Sequence, residues 1–563
     1  YRLSTNKQTL YPYFTIASLL TEITSILYKY IKLCIFIQYV TGTKMVAIFV
    51  FCCALICAIS YYLTRRKFNY WKKRRVPHLK PISLFGNYKD YIILKKTIFS
   101  VVNSICEKFP KEPYIGAFYG TEPCLIIRDP DYLKLILTKD FYYFNSREVA
   151  DYTNREITTR NLFFTSGDRW KILRQNLTPI FSSAKMKKMF YLIEECNNTL
   201  EKLIDEAAKE PIVEVRSMMA RYTIDCIGSC AFGINMRAMS SEDEVNPYRD
   251  IGHKIFENSA IRGLKLIGRA VWPAIFYNLG FQAFPSEIPN FFGNLLTNVF
   301  EQRQYKHSGR HDFVDLVLGL KENKYITGDS ISNLKGGTKK TVLEVDNELL
   351  FAQCSVIFAA GFETSATTLS FLLFELAKNP DKQKRAIEEV DMYFRNHQKL
   401  VYECVFETPF LTACLDETLR LYPVLGVLTR EVVEDYNLPS GVSLTKGVRV
   451  HIPVYHLHHN STFFPEPGVF RPERFLGSEK ESITPFSYMP FGAGPRICIG
   501  LRFAKMQIIA ALLTILKKCT IKLDENTPLK LEFDPRVLTT QPTTGIHLNF
   551  IPRDNTNTFA EAM

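Results

Sequence analysis

The chain has 563 residues, of which 47% are hydrophobic and 23% are charged. This composition is ordinary for a globular protein, so a disordered or collagen-like chain is excluded. The 14 cysteines are too sparse for a disulfide scaffold, and the net charge of +13 arises wholly within the first 89 residues. The remaining body is neutral, which excludes a protein that binds nucleic acid through a charged body.

The first element in chain order is an uncharged run of 19 residues from Met45 to Leu63. As a helix, this run is long enough to span a hydrocarbon core of roughly 30 Å. A cluster of basic residues follows it, namely Arg65, Arg66, Lys67, Lys72, Lys73, Arg74 and Arg75. Because basic residues after a span stay on the cytoplasmic side, we predict a transmembrane anchor at 45–63 and a cytosolic body. A cleaved signal peptide is the alternative, but its positive charge would precede the apolar run.

The segments on either side of the anchor carry different signals. Residues 1–44 contain no Met, and we expect them to be an upstream extension that is not part of the fold. A second hydrophobic segment is the alternative there, although charged residues interrupt it. Residues 64–86 combine the basic cluster with Pro77 and Pro81. Because proline fixes φ and resists helix, we predict a stiff hinge before a body at 87–555.

Helical periodicity dominates the body. Apolar residues recur at three- and four-residue steps and predict helices over 184–208, 215–231, 345–378, 380–396 and 410–421. Short apolar or alternating runs predict strands over 114–119, 123–128, 448–452 and 544–550. The predicted fold class is therefore mostly α with a minor β part. No glycine-rich nucleotide-binding pattern is present in the sequence, so we expect no flavin or nicotinamide module in the chain.

The segment 264–292 is rich in aromatic residues and proline. One interpretation is that it belongs to the core. The other is that it forms a loop which touches the bilayer near the anchor, as an exposed apolar patch would. The sequence leaves both interpretations open.

The strongest chemical signal is the run from Phe491 to Gly500, which reads FGAGPRICIG. Its three glycines allow sharp turns and the close approach of a large flat group. Backbone N–H groups of such a loop can stabilise a thiolate at Cys498, and Arg496 can pair with a carboxylate. A lone cysteine is usually a small buried hydrophobe, and this is our interpretation of the other thirteen.

This run resembles the haem-binding signature of the cytochrome P450 family, Phe-Gly-x-Gly-x-Arg-x-Cys-x-Gly. Two further patterns resemble that family: Glu417-Thr-Leu-Arg420 matches its Glu-x-x-Arg, and FRPERF at 470–475 matches its Pro-Glu-Arg-Phe segment. The resemblance covers about residues 70–553 and is nearest to the microsomal, insect-type, xenobiotic-metabolising branch. It implies a cytochrome P450 fold, which is a single large α-rich haem domain with small β-sheets, together with an N-terminal transmembrane helix.

The resemblance implies roles for the matching residues around haem b. Cys498 would be the axial thiolate ligand of the iron, a ligand that favours O–O cleavage. The other haem-binding residues would be Arg496, Trp170, Arg174, Arg430, Phe491, Gly361 and Gly500. Glu417, Arg420 and Arg474 would form a buried network that braces the haem loop. Taken alone, Glu417 and Arg420 would be a surface pair of little energetic value.

A second implied site lies within the long helix predicted over 345–378. Here the resemblance makes Glu363 and Thr364 catalytic. Thr364 would orient a water and Glu363 would relay protons during oxygen activation, while Gly361 would let the helix backbone approach the haem. The alternative for a mid-helix threonine is a hydrogen bond to the carbonyl four residues back, with no chemical role.

The substrate pocket is the least defined part of the predicted site. By family position it would be lined by residues near 144–164 together with Phe358, Ala359, Val424, Leu425, Val427 and Thr543. Most of these are apolar, which suits a lipophilic ligand. Ordinary core packing is an equally good interpretation of any one of them.

The resemblance further implies a monooxygenase that inserts one oxygen atom of O₂ into lipophilic molecules, such as plant toxins, insecticides or endogenous hormones. Electrons would come from NADPH through NADPH–cytochrome P450 reductase, with cytochrome b5 as a further partner, at the endoplasmic reticulum membrane. Basic residues that could meet such an acidic partner, or simply form a solvated face, are Lys171, Lys185, Lys187, Lys188, Arg502 and Lys505.

Two other functional classes stay open at this point. One is a haem-thiolate isomerase or dehydratase that acts on peroxides without a reductase, although such relatives tend to lose the Glu363-Thr364 pair. The other is a non-catalytic haem-binding or ligand-carrying protein. Consumption of NADPH in the presence of reductase and substrate would separate these classes from a monooxygenase.

Overall fold

Helices make up most of the regular structure, as the apolar spacing predicts. The computed structural model describes residues 64–241, 244–308 and 312–553, with a few further positions between 48 and 62. The helices of the first part are α1 (Tyr70–Arg74), α2 (Lys89–Ile92), α3 (Ile98–Lys108), α4 (Pro130–Lys134), α5 (Gly167–Leu177), α6 (Ser183–Ala207), α7 (Val215–Ile227), α8 (Pro247–Ile255), α9 (Ala260–Val271), α10 (Pro273–Asn278), α11 (Glu287–Gln302) and α12 (Phe313–Glu322). Those that follow are α13 (Asn347–Lys378), α14 (Pro380–Asn396), α15 (Cys404–Glu407), α16 (Pro409–Leu421), α17 (Val454–His458), α18 (Gly477–Glu481) and α19 (Leu501–Lys518).

Small sheets accompany these helices. The strands are β1 (Tyr114–Tyr119), β2 (Glu122–Ile127), β3 (Val213–Glu214), β4 (Tyr325–Asp329), β5 (Lys340–Glu344), β6 (Leu428–Glu431), β7 (Tyr436–Asn437), β8 (Ser443–Leu444), β9 (Arg449–Ile452), β10 (Cys519–Leu523) and β11 (His547–Pro552). The largest sheet has the order β1–β2–β9–β6, with β2 and β9 parallel and Cys124 opposite Arg449. A second sheet has the order β10–β11–β3, and β4–β5 and β7–β8 are two-stranded. The prediction of a mostly α fold with a minor β part is confirmed.

Helix α13 is the central element of the helical core. It begins where the Asp346 carboxylate accepts a hydrogen bond from the N–H of Leu349 at 2.6 Å, and it ends before Asn379 and Pro380, because proline disfavours helix at the residue before it. Among the described residues it is the helix long and apolar enough to cross a membrane, yet 72% of its most apolar window is buried. It is therefore a core helix, about 50 Å long at 1.5 Å per residue.

The other predicted elements are observed with small shifts at their ends. The helix predicted over 215–231 is shorter, because α7 stops at Ile227 and a wider helical turn follows it. That turn ends at Gly233 with a φ of 66°, a left-handed conformation that terminates helices. The strand predicted over 544–550 begins later, at His547.

The structure describes only part of the N-terminal region for which the sequence made predictions. Residues 1–44 lie outside them, and so does nearly all of the predicted anchor at 45–63. Within the predicted hinge at 64–86, Trp71 is fully buried, and its Nε1 donates to the carbonyl oxygen of Ala117 at 2.7 Å. Trp71 therefore packs against the folded body, while the division between the hinge and the body stays a prediction.

The segment 264–292 is mostly helical, so the loop that one interpretation required is not observed. Residues Ile267 and Phe276 of α9 and α10 are buried, which confirms a contribution to the core. The helices α9 and α10 and the residues that follow them also expose the apolar side chains of Ile261, Leu264, Ile275, Leu279 and Phe281. Contact of this exposed apolar surface with a bilayer stays a prediction.

Three neighbouring histidines at the end of α17 favour the neutral form, with His458 fully buried and His456 and His459 half-buried. Burial lowers the pKa of His456 and of His459 to about 4, and it lowers the pKa of His458 well below its usual value. The Nδ1 of His459 lies 2.8 Å from the carbonyl oxygen of Tyr455, and the two rings stack at 4.0 Å. The surroundings of His459 therefore favour the uncharged form of its ring.

We expect acid to destabilise the protein through His459. With a native pKa of about 4, this ring takes up its proton mainly in the unfolded state, where the pKa is about 6.5. Its stabilisation is complete above pH 6.5 and falls as the pH drops towards 4, by about 2 kcal/mol at pH 5. His459→Gln should remove this part of the acid loss, measured as the change in free energy of unfolding by urea. His253, which is exposed on α8, is the control. Equal acid losses in His459→Gln and His253→Gln would contradict the prediction.

Candidate active site

The loop that carries Cys498 is shaped by its glycines. Gly492 and Gly494 have φ of 76° and 70°, a left-handed conformation that costs other residues free energy. A Cβ at Gly494 would also lie 1.8 Å from the carbonyl oxygen of Leu137, so the loop packs directly on backbone there. The N–H of Cys498 donates to the carbonyl oxygen of Phe491 at 2.9 Å. With the loop fixed in this way, the side chain of Cys498 is exposed.

The charge state of the Cys498 thiol depends on opposing influences. Solvent reaches the side chain of Cys498, but many protein atoms surround the thiol. The resulting desolvation raises the pKa of the thiol. The N–H of Gly500 and the guanidinium groups of Arg174 and Arg147 lower the same pKa. A metal cation at the sulfur would displace the thiol proton and make the thiolate the stable form.

Four arginine side chains converge near the Cys498 loop, namely Arg147, Arg174, Arg430 and Arg496. The guanidinium of Arg496 lies 4.6 Å from the ring centroid of Trp170. Nη1 of Arg174 donates to the carbonyl oxygen of Ile497 at 2.9 Å, and Nη1 of Arg147 donates to that of Phe163 at 2.7 Å. Their partners are backbone carbonyls, which leave the positive charges uncompensated.

Burial and mutual repulsion disfavour the charged forms of the arginine side chains in this cluster. Burial lowers the pKa of Arg430 to about 9 and that of Arg147 to about 10. Burial and the three neighbouring guanidinium groups lower the pKa of Arg496. The Nε atoms of Arg430 and Arg496 are buried and have no hydrogen-bond partner among the described residues. Buried cations of this kind require an anion, and guanidinium groups suit carboxylates in particular.

These residues fit the haem that the sequence resemblance implies. Propionate groups would supply the anions that Arg430 and Arg496 require, and the accessible thiol of Cys498 would supply a metal ligand. The structure brings the predicted residues Trp170 and Arg174 to the same place. It also adds Arg147, which the sequence analysis did not single out, because no spacing relates it to the cysteine motif.

The predicted carboxylate–arginine network is present and fully buried. Nε and Nη2 of Arg420 donate to the two carboxylate oxygens of Glu417 at 2.7 and 2.8 Å. Nη1 of Arg420 also donates to the carbonyl oxygens of His458 and Pro467, each at 2.8 Å. Nε of Arg474 lies 3.5 Å from Glu417, an ion pair looser than a hydrogen bond. The geometry thus ties α16 to the segment that leads to the Cys498 loop.

His458 is a second connection between this network and the loop, and the sequence analysis missed it. Its Nδ1 lies 3.3 Å from the carbonyl oxygen of Arg420, and its Nε2 accepts from the N–H of Met489 at 3.0 Å. Since one ring nitrogen accepts, the other must carry the proton, which fixes the tautomer. The neutral ring therefore links Arg420 to Met489, two residues before Phe491.

In the middle of the buried helix α13, one face is open. Ala360 is exposed and Thr364 is half-buried, whereas Thr367 and Thr368 are buried. The hydroxyl of Thr364 donates to the carbonyl oxygen of Ala360 at 2.7 Å, which is the contact that the alternative interpretation predicted. Its place on the open face distinguishes Thr364 from the other threonines of the helix.

Glu363 is buried and held by an ion pair. Nη2 of Arg216 donates to its Oε1 at 2.6 Å, and Nε2 of Gln541 donates to the same atom at 2.7 Å. Nε of Arg216 at 3.2 Å and the hydroxyl of Thr367 at 3.1 Å also donate to this oxygen. Because Arg216 is partly exposed, the pair connects the interior of α13 with the protein surface. Neither Arg216 nor Gln541 was found from the sequence.

The missing side chain of Gly361 faces α7. A Cβ at this position would lie 2.7 Å from Cδ1 of Ile227, so Gly361 allows α13 to pack closely on α7. This packing role was not anticipated from the sequence. The contact of Gly361 with haem stays a prediction.

The residues predicted to line the substrate pocket divide into two groups. Ala359, Val424 and Leu425 are half-buried and remain candidates. Phe358 is fully buried, with its ring 5.3 Å from that of Phe292 and 5.2 Å from that of Phe362. Val427 is also buried, in a second core cluster. For these two residues the structure favours core packing, the alternative left open above.

The C-terminal segment contacts Pro423 and Val424 through Thr540, which the sequence analysis did not single out. Thr543 is exposed, and its N–H donates to the carbonyl oxygen of Glu532 at 2.8 Å. The residue in contact is Thr540, whose N–H donates to the carbonyl of Val424 at 2.9 Å and whose hydroxyl donates to that of Pro423 at 2.6 Å. The role of Thr543 in the substrate pocket stays a prediction.

The basic residues predicted to meet a partner differ in availability. Lys187 and Lys505 form ion pairs with carboxylates of the chain, and Lys171 donates to a backbone carbonyl. Arg502 is exposed and lines, together with Cys498, a cavity of about 950 Å³. This cavity brings a positively charged surface close to the thiol.

Comparison with known proteins agrees with this geometry. The model of the family described as Cytochrome P450 matches residues 76–549. The chain is 36% identical to cytochrome P450 6B2 of Helicoverpa armigera over 502 residues, which cover 89% of this chain and 97% of the relative. It is 35% identical to cytochrome P450 6B4 of Papilio glaucus, covering 91% and 100% of the two chains. It is 33% identical to cytochrome P450 6k1 of Blattella germanica, covering 91% and 98%.

Proposed function

This chain belongs to the cytochrome P450 family, and from that premise we propose that it oxidises lipophilic small molecules with electrons that NADPH supplies through a reductase. The family implies a haem-thiolate monooxygenase. One oxygen atom of O₂ enters the substrate, and the other leaves as water. Within this class we propose xenobiotics such as plant toxins or insecticides as the substrates, with endogenous hormones as the alternative.

The observation that carries this proposal is the surroundings of Cys498. An accessible thiol in a glycine-shaped loop lies beside buried guanidinium groups that have no carboxylate partner among the described residues. A haem bound here supplies the redox-active iron. Cys498 would hold its iron through the thiolate, and Arg430 and Arg496 would hold its propionates. Trp170, Arg174 and Arg147 would complete the polar edge.

The remaining site residues receive roles from their positions. Phe491 and Gly500 flank Cys498 and would shape the face of the loop that meets the haem. Thr364, on the open face of α13, would orient a water, and Glu363 would hold and pass a proton. The ion pair between Glu363 and Arg216 supports a connection from solvent to this turn of the helix.

The electron donor would be NADPH–cytochrome P450 reductase, assisted by cytochrome b5. The exposed Arg502 and the cavity that it shares with Cys498 support docking of an acidic partner on this side, because complementary charge steers association. Since Lys187 and Lys505 are already paired, they would contribute less than the sequence suggested. Turnover should then fall as salt concentration rises.

We further propose that the protein resides at the endoplasmic reticulum membrane with its body in the cytosol. The apolar run at 45–63 and the basic cluster after it support this orientation. The exposed apolar surface of α9 and α10 would face the bilayer. Lipophilic substrates would then reach the half-buried Ala359, Val424 and Leu425 from the membrane side.

The experiment that tests the proposed function is turnover in microsomes that contain the full chain and a P450 reductase. We expect NADPH consumption and an oxygenated product to depend on reductase and on a lipophilic substrate. The reduced protein should also give, with carbon monoxide, the red-shifted Soret band from which the family takes its name. Conversion of a peroxide without reductase would instead support an isomerase or dehydratase. A normal spectrum without any turnover of a broad lipophilic panel would support a non-catalytic carrier.

Thr364→Ala should separate electron use from product formation. If the hydroxyl orients the water that delivers protons, its loss should lower the product formed per NADPH by about tenfold or more, with peroxide released in its place. The measurement is product, peroxide and NADPH in the same reaction. Ser370, which makes the same hydrogen bond to the carbonyl four residues back but is buried, provides the control variant Ser370→Ala. Equal coupling in the two variants would remove Thr364 from the mechanism.

A further inference from the structure

The side chain of Gln507 joins the helix after the Cys498 loop to helix α13. Gln507 lies within the apolar run of α19, and it is fully buried. A buried amide loses its hydrogen bonds with water, so its burial is costly unless protein groups replace them. Gln507 is not among the residues proposed to bind haem, transfer protons or line the substrate pocket.

The amide of Gln507 binds two groups on one turn of α13. Its Nε2 donates to the carbonyl oxygen of Gly361 at 3.1 Å and to the hydroxyl of Ser365 at 2.6 Å. The orientation of the amide follows from the first contact, because a carbonyl oxygen only accepts and the NH₂ end must face it. Residues four apart share a helix face. The amide therefore clamps the turn that also contains Glu363 and Thr364.

The opposite end of this connection is also fixed. The hydroxyl of Tyr222 on α7 donates to the backbone carbonyl of Gln507 at 3.1 Å, and Nδ2 of Asn197 on α6 donates to Tyr222 at 3.0 Å. Helix α19 begins at Leu501, directly after the loop of Cys498. Because a helix is stiff over such a distance, the position of Gln507 follows that of the loop.

We propose that Gln507 is a positioning residue for oxygen activation. Its amide sets the rotation of the α13 turn that carries Glu363 and Thr364 relative to the loop of Cys498. The proposal rests on the proposed function, since it assigns Gln507 to the same reaction. Without the amide the turn keeps its helical hydrogen bonds but loses its link to α19. An O₂ that receives two electrons from NADPH and two protons without transfer to substrate then leaves as H₂O₂.

Gln507→Met tests this role, since methionine has a similar length and no donor. We expect the product formed per NADPH to fall about tenfold, the low end of what the loss of an outer hydrogen bond costs an active site. Peroxide should rise by the matching amount. Haem content and the spectrum of the reduced carbon monoxide complex should remain those of the unaltered protein, because the Cys498 loop itself is intact.

Gln383 provides a matched control. It is 3% exposed, and its amide makes three hydrogen bonds with the backbone of Leu376 and Ile521 at 2.8 to 3.0 Å. It joins α14 to β10 and to the C-terminal end of α13, twelve residues beyond Thr364, and has no contact with the turn of Thr364 or with the Cys498 loop. Gln383→Met should therefore lower stability but leave the product formed per NADPH unchanged.

Ser365→Ala tests whether the effect of Gln507→Met on coupling passes through the hydrogen bond between Gln507 and Ser365. Combined with Gln507→Met, it should lower the product formed per NADPH little further. Both changes remove the same hydrogen bond between Gln507 and Ser365, and the effects of coupled residues are not additive. Alone it should cause a smaller loss than Gln507→Met, since the bond from Gln507 to Gly361 remains. Additive losses would show that Gln507 and Ser365 act separately.

Amide hydrogen exchange over residues 361–368 gives a readout that needs no turnover. We expect faster exchange there in Gln507→Met than in Gln383→Met or in the unaltered protein. Unchanged coupling with unchanged exchange would overturn the proposal, and so would an equal loss of coupling in the Gln383 control. If the unaltered protein forms no product with NADPH and reductase, the proposed function fails, while the exchange measurement still decides the role of Gln507.

Discussion

Arg420→Ala should yield no soluble protein that contains haem. The guanidinium of Arg420 is fully buried, and its loss leaves the buried carboxylate of Glu417 with the N–H of Arg471 at 2.8 Å and the looser contact to Arg474 at 3.5 Å, which do not replace the lost pair. Breaking a buried pair in this way costs about 3–5 kcal/mol. The same change removes the hydrogen bonds to the carbonyl oxygens of His458 and Pro467. Since a domain is stable by only about 5–15 kcal/mol, the expected result is loss of the fold around the Cys498 loop.

The measurement for Arg420 is the haem content and the reduced carbon monoxide spectrum of detergent-solubilised protein. Arg420→Lys should fail as well, because an ammonium group cannot reproduce the two parallel bonds to Glu417. Arg385→Ala is the control. This residue is about half exposed and pairs with Glu473, so its removal should cost at most about 1 kcal/mol. A soluble Arg420→Ala protein with a normal spectrum would refute the role assigned to the network.

Cys498→Ser should abolish the red-shifted band of the reduced carbon monoxide complex and the NADPH-dependent product together. A hydroxyl is a far poorer anion and electron donor than a thiolate, and the thiolate is what favours O–O cleavage. Changes to groups around a metal ligand already cost about 10–100-fold in activity, so loss of the ligand itself should exceed this range. The two residues differ by one atom, and the loop fixed by Gly492 and Gly494 should keep its shape.

Cys519→Ser is the control for this substitution. Cys519 is buried at the start of β10, and burial raises the pKa of its thiol to about 11, so it is protonated at neutral pH and serves only packing. We expect its variant to retain both the spectrum and the turnover. Product formation by Cys498→Ser at the rate of the Cys519 variant would exclude Cys498 as the ligand.

Local patterns in the sequence were sufficient for the long helices α6, α7, α13, α14 and α16 and for the cysteine loop. The long apolar run over 345–378 predicted α13 to within two residues at its start, because such a run has few alternative conformations. The glycines around Cys498 encode the turn themselves, and two of them adopt positive φ. Glu417 and Arg420 also lie within one helix turn, so their pairing was predicted from spacing and resemblance.

Contacts between distant parts of the chain were not accessible in this way. Arg147 joins the arginine cluster from a segment with no recognisable motif, and Arg216 reaches Glu363 across 147 positions. The contact of Thr540 with Pro423 and Val424 joins positions more than one hundred residues apart, so no local pattern predicts it. The buried side of 264–292 likewise depends on which face of its helices meets the core.

The sequence by itself determined the helical class of this protein, the thiol that its loop presents and the family to which it belongs, because each is encoded by neighbouring residues. Only the tertiary structure decided how the two sides of the site are joined. Gln507 meets Gly361 across 146 positions and His458 meets Met489 across 31. No local spacing specifies such pairs, because they form only where packed helices bring a buried donor to a buried acceptor, and burial then requires both to be satisfied.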